Sequence, residues 1–114
     1  KRYDSAFKSL PIIVPFQSAE SYSSYHLYPI RINKPISGKV QRDVYDRLWQ
    51  FGVAANLHYI PVHRHPFYER FGFKKGDFPE AEKFHREVIS LPIYTSLGTG
   101  QNKVISYLQD IFSN

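Results

Sequence analysis

Three features of this chain predict an α+β fold: a small two-layer domain with a short sheet of about three mainly antiparallel strands and helices on one face. Apolar stripes at helical spacing, Val40/Val44/Leu48/Phe51 and Val104/Ile105/Leu108/Ile111/Phe112, are interleaved with short β-prone runs along only 114 residues. Rings are abundant, with nine Tyr, nine Phe and one Trp, and that many must fill a core or line a surface that binds something. Prolines at 11, 15, 61, 66 and 92 keep the pieces short.

The elements follow in order. Lys1 to Leu10 reads as the tail of a helix, with Tyr3, Phe7 and Leu10 along one face. Pro11 and Pro15 enforce an extended connection, and Ser18 to Ser24 is a polar loop. Tyr25 to Ile32 is rich in β-formers, and Pro29 inside it favours an edge strand or a bulge. Ser37 and Gly38 open a helix that runs through Phe51, with Gly52 placed to end it. Val53 to Tyr59 is the next strand, irregular after Pro61, and Phe67 to Phe71 makes one helical turn. Asp77 is positioned to cap a helix over Pro79 to Val88, with Ala81, Phe84 and Val88 on its buried face. A short extended piece, Ser90 to Ile93, precedes a last helix from about Gln101 to Phe112. Three short strands leave one sheet face uncovered, so that face is expected to lie against another domain or subunit. A helix already under way at Lys1, and no Met anywhere, suggest a piece of a longer protein.

Bulk composition removes several function classes. The formal charge is +5, but the basic residues are scattered and mostly neighbour an acid, as in Arg42-Asp43, Asp46-Arg47, Glu69-Arg70 and Arg86-Glu87. A nucleic-acid face needs clustering, so nucleic acid is not an expected partner. With no cysteine there are neither disulfides nor thiolate metal sites, which is compatible with the cytoplasm. No apolar run approaches the roughly 20 residues that span a bilayer, and no signal-peptide pattern opens the chain. No membrane association is expected.

The run from Asn56 to Tyr68 carries the chemistry, with His58, His63 and His65 beside Tyr59 and Tyr68. In an extended segment the imidazoles of His63 and His65 point to one side. No Asp or Glu lies in the run to orient the rings as metal ligands, so a metal site is not expected. Two readings remain: hydrogen-bonded loop residues, or donors to an organic ligand bearing phosphate or hydroxyl groups, held by His58, Tyr59 and Arg64. No serine sits in a Gly-x-Ser-x-Gly elbow. Asp77, Glu80 and Glu82 suit a helix N-terminus, and Gly98-Thr99-Gly100 reads as a turn before a helix. No lysine stands in an apolar context that would lower its pKa for covalent chemistry. Tyr45 and Trp49 fall at a core edge or a subunit contact.

Several segments, in this order and spacing, resemble one family across nearly the whole chain. They are Arg2-Tyr3-Asp4-Ser5-Ala6-Phe7, Ser24-Tyr25-His26-Leu27-Tyr28-Pro29-Ile30, Leu57-His58-Tyr59-Ile60-Pro61-Val62-His63 with Pro66-Phe67-Tyr68, Gly72-Phe73-Lys74-Lys75-Gly76-Asp77-Phe78-Pro79 with Ala81-Glu82, and Ile89-Ser90-Leu91-Pro92-Ile93-Tyr94. The chain is similar to the carboxy-terminal domain of the sugar-nucleotide aminotransferases of the DegT/DnrJ/EryC1/StrS family, most of all to the branch aminating a 4-keto sugar on the pseudaminic acid pathway. The resemblance implies a type I aminotransferase fold, with residues 1–10 ending the interdomain helix and residues 11–114 forming the C-terminal small domain. It implies pyridoxal phosphate as cofactor, bound mainly by a large domain absent from this chain. It implies amino transfer from glutamate to C4 of a UDP-linked 4-keto-6-deoxy-N-acetylhexosamine, in a cytoplasmic homodimer. His58, Tyr59, Ile60 and Pro61 would contact the sugar nucleotide, joined by His63. Nothing here matches the family's Schiff-base lysine segment, so this chain alone is expected to be inactive. A catalytically inactive ligand-binding or regulatory domain of the same fold is the alternative.

Overall fold

In the computed structural model, which describes residues 1–113, two strands form the sheet and six helices surround it. The order is α1 (Arg2–Ala6), β1 (Tyr28–Arg31), α2 (Lys34–Ser37), α3 (Gln41–Gln50), α4 (Pro66–Glu69), α5 (Pro79–Glu87), β2 (Val88–Leu91) and α6 (Gly100–Ser113). Short 3₁₀ turns lie at Val62–Arg64 and Thr95–Leu97. The strands run antiparallel, with Tyr28 opposite Leu91 and Arg31 opposite Val88.

The expected third strand is reduced to a single bridge. Asn56 N–H donates to Ser90 O at 3.1 Å and Ser90 N–H returns the bond at 2.7 Å, but the ladder stops there. Continuing it would pair residue 54 with Pro92, which has no N–H. Nearby, Ala55 N–H is already held locally by Val53 O at 2.9 Å. The opposite edge behaves alike: Ile13 bridges Arg31, and the next pair along would set Pro15 against Pro29. Proline placement therefore makes two strands with a one-residue bridge on either side.

The helix expected from Ser37 to Phe51 is split. Gly38 takes φ 71, closing α2 with its N–H on Lys34 O at 2.8 Å, and a left-handed residue ends a helix. Val40 then stands before α3 as an extended, exposed residue, while Val44 and Leu48 keep the buried stripe. Helix α5 differs from expectation in its cap and its face. Asp77 does not cap it; its carboxylate accepts from the Lys74 backbone N–H at 2.8 Å and from Lys74 Nζ at 3.1 Å, which holds its pKa below the usual range. Ala81 and Phe84 are exposed, and the buried residues of α5 are Glu82 and Glu87. Both acids are partnered: Glu82 accepts from Gly76 N–H at 2.8 Å, and Glu87 binds Arg31 and Asn33. Val88, at the start of β2, is buried as expected.

One core joins α1, the sheet, α3 and α6. Tyr3, Phe7 and Tyr28 cluster with ring centroids 4.9 to 6.5 Å apart, and Val44, Leu48, Val104, Leu108 and Ile111 close the other side. Tyr3 Oη donates to Pro92 O at 2.7 Å, tying the first helix to the end of β2. Tyr28 Oη donates to the Asp4 carboxylate. Burial, with Tyr94 second, pushes the Tyr3 phenol up to about 12, and burial followed by the Asp4 bond raises Tyr28 further. An unfolded tyrosine ionises near pH 10, so between about 10 and 12 the unfolded state loses protons that the folded state keeps. Stability is whole below pH 10 and falls as pH rises through that window. Unfolding midpoints measured from pH 8 to 12 should show this decline, with a shallower slope in Tyr3→Phe; an equal slope in the variant would remove Tyr3 from the account.

Gln41 links α3 to the α5–β2 corner, its Nε2 donating to His85 O at 2.9 Å and Val88 O at 2.5 Å. Gln41→Ala leaves two partly buried carbonyls unpaired and should cost about 1–3 kcal/mol in denaturant unfolding. A loss below about 0.5 kcal/mol would mean that water replaces the amide.

Candidate functional site

A cleft of about 550 Å³ opens between the end of β2 and the start of α6. Asn56, His58, Ser90, Pro92, Tyr94 and Lys103 are among the residues lining it. Strand β2 supplies Ser90, the one hydroxyl in an otherwise apolar Val88–Leu91 strand. Its backbone bridge to Asn56 sets the depth at which the following residues enter the cleft. His58, two residues on, brings Nδ1 to 2.9 Å from Ser90 Oγ. Whichever of the two donates, the ring is fixed, and the described residues supply no hydrogen-bond partner for Nε2. A fixed imidazole with one free nitrogen on an open cleft is suited to holding a polar ligand.

The five sequence-derived site residues do not all meet. His58 lies in the cleft. Its ring sits 4.5 Å from that of Tyr59, across a cis peptide bond. Tyr59 and Ile60 are 68% and 58% exposed, and Pro61 is half-buried. His63 is 7% exposed and lines a different, almost wholly apolar cavity of about 410 Å³ with Tyr68, Phe73 and Phe78. Its ring packs 4.9 Å from Phe78, and Nε2 lies 3.8 Å from Glu82 Oε2 without a hydrogen bond.

The extended geometry expected for His63 and His65 is replaced by a 3₁₀ turn. Pro61 fixes its entry, and Arg64 N–H closes on Pro61 O at 2.9 Å. His65 turns back, with Nε2 3.0 Å from Ile60 O. The three histidines thus perform three separate tasks. Among the described residues no group of three or more His, Asp or Glu stands close enough to hold a metal ion. No helix there is long and apolar enough to cross a membrane.

Sequence reasoning missed Asn56, Ser90 and Lys103. The period-two spacing of Asn56 and His58, and a lone serine in an apolar strand, were signals that could have found the first two. Lys103 carried none, because it occupies the polar side of the α6 stripe.

The family's sequence profile, described as the DegT/DnrJ/EryC1/StrS aminotransferase family, matches residues 1–109. The chain belongs to this family. It is 32% identical to the spore coat polysaccharide biosynthesis protein SpsC of Bacillus subtilis over 114 residues, 96% of this chain and 29% of that protein. It is 30% identical to the Helicobacter pylori UDP-4-amino-4,6-dideoxy-N-acetyl-beta-L-altrosamine transaminase, over 83% of this chain and 25% of that protein. The crystal structure of S. venezuelae DesV with a ketimine intermediate superposes with a TM-score of 0.88 at 28% identity, covering 99% of this chain and 30% of DesV. The chain therefore spans under a third of the length of these relatives.

Family membership brings pyridoxal phosphate into view, and its fit can be tested on the residues present. The cofactor's aldehyde is held by a buried lysine amine. Every described lysine is exposed except Lys39, which is half-exposed, so these residues do not by themselves seat the cofactor. What the chain does build is a wall: a cleft with one oriented imidazole and exposed aromatic and aliphatic side chains beside it.

Proposed function

We propose that this chain is the C-terminal small domain of a pyridoxal-phosphate-dependent sugar-nucleotide aminotransferase. In this reading residues 1–10 end the interdomain helix and 11–114 form the domain, while a large domain outside the chain seats the cofactor. The whole enzyme, a homodimer, moves the amino group of glutamate to C4 of a UDP-linked 4-keto-6-deoxy-N-acetylhexosamine. The H. pylori relative's substrate class supports the choice of sugar. The observation that carries the reading is His58: an imidazole pinned by Ser90 at 2.9 Å and facing an open cleft beside exposed Tyr59 and Ile60.

The roles divide by geometry. His58 Nε2 hydrogen-bonds a hydroxyl or phosphate oxygen of the sugar nucleotide. Tyr59 offers a ring face and a phenol, and Ile60 and Pro61 supply the apolar strip that excludes water. His63, buried behind the segment against Phe78, braces it from the 3₁₀ turn. Cofactor chemistry supplies the electron sink for amino transfer; this domain supplies position. The chain by itself is inactive.

The decisive assay uses the full-length protein purified with cofactor, glutamate and a UDP-4-keto sugar, following the aminated sugar nucleotide by mass. Failure to aminate any such sugar, with cofactor demonstrably bound, would sink the reading.

A further inference from the structure

We propose that a second cavity, separate from the His58 cleft, binds a small phosphate-bearing anion. The cavity, of about 450 Å³, lies where α2, the start of α3 and the end of α5 meet, and is lined by Lys34, Gln41, Arg42, His85, Arg86 and Glu87 among others. It shares no lining residue with the His58 cleft, so the inference stands apart from the sugar-nucleotide reading.

The charges in the wall favour an anion. Glu87 is the lone carboxylate there, and both its oxygens are occupied. Arg31 Nε and Nη2 reach Oε2 at 3.0 and 2.7 Å, and Asn33 Nδ2 reaches Oε1 at 2.9 Å. Arg42 shares its charge with Asp46 at 3.0 Å. Lys34 and Arg86, by contrast, have no acidic partner among the described residues. Two cations that meet at one concavity without a counter-ion attract a multivalent anion far better than isolated surface charges do.

His85 and the start of α3 complete the wall. His85 Nδ1 is buried and has no hydrogen-bond partner in the structure. The wall also includes the first turn of the ten-residue helix α3, whose N-cap Val40 offers no side-chain bond. Its leading N–H groups add to the cationic surroundings. The floor is held firm by Gln41, which bonds His85 O and Val88 O.

The test is a calorimetric titration of pyrophosphate into the full-length protein at low ionic strength. Wild type should bind, and affinity should fall at least tenfold in Lys34→Ala/Arg86→Ala. Both replaced side chains are exposed, and near-UV circular dichroism checks that the variant keeps its fold. The single variant Lys34→Ala, expected to lose affinity to a lesser degree, decides the question should the double variant misfold. Repeating the titration with orthophosphate and with a nucleoside diphosphate separates a free anion from a nucleotide's phosphates; binding of orthophosphate or pyrophosphate supports the site. Absence of binding, equal affinity in wild type and the Lys34 and Arg86 variants, or binding of the nucleoside diphosphate alone would overturn it.

Discussion

Replacing Glu87 with alanine should lower the unfolding free energy by about 2–4 kcal/mol. The carboxylate receives three hydrogen bonds, two from Arg31 and one from Asn33, at the junction of β1, α5 and the turn into α2. Removing it strands a guanidinium in a largely enclosed setting, which is why breaking one partner costs more than the pair itself contributes. Arg31 is still 28% exposed at its side chain, so water recovers part of the loss and the figure sits below that for a sealed pair. Arg31 also has its backbone in both the sheet and the Ile13 bridge, so a displaced side chain disturbs the strand that carries it. Urea unfolding of wild type, Glu87→Gln and Glu87→Ala should rank in that order of decreasing stability. If Glu87→Ala unfolds at the wild-type midpoint, the ion pair is ornamental and apolar packing alone holds the corner.

That corner shows what the sequence could and could not disclose. The α5 segment was legible as a helix because Pro79 and the acids suit a first turn, and the structure has it at Pro79–Glu87. Its buried face was not legible. Hydrophobic periodicity nominated Ala81 and Phe84, yet Glu82 and Glu87 are the residues turned inward, because Glu82 meets the Gly76 N–H in the turn before the helix and Glu87 meets Arg31 and Asn33 from far along the chain. A local pattern cannot see a partner 56 residues away. The same holds for the sheet: Pro29 favoured an edge strand or a bulge, but the loss of the third strand depends on Pro92 facing a position that only the fold brings together. Helix α6, by contrast, was readable end to end, since Val104, Leu108 and Ile111 form a stripe that needs no outside information.

The histidine segment repeats the lesson for the site. Ring type and proline boundaries identified the run, and the family resemblance narrowed it to His58 through Pro61. Which imidazole serves the cleft was decided by Ser90, 32 residues downstream, and by the 3₁₀ turn that draws His63 inward. The separation of His58 and His63 into different cavities gives each a distinct mutational signature.

If the proposed function holds, His58→Ala in the full-length protein should raise KM for the sugar nucleotide about 10- to 100-fold, the worth of one hydrogen bond to a charged or strongly polar oxygen. Changes in kcat should stay within about threefold, because an imidazole that holds substrate equally before and during reaction contributes uniform binding. Ser90→Ala keeps the ring but frees it to rotate, so its KM effect should be smaller, in line with a positioning role. His63→Leu is the counter-test. It removes a buried group that packs on Phe78 and faces Glu82, so it should alter thermal stability and disturb KM only through the segment it braces. The informative outcome is the split between parameters. If His58→Ala lowered kcat about a hundredfold at unchanged KM, the imidazole would be acting on the reacting atoms, and this domain would transform its substrate as well as hold it.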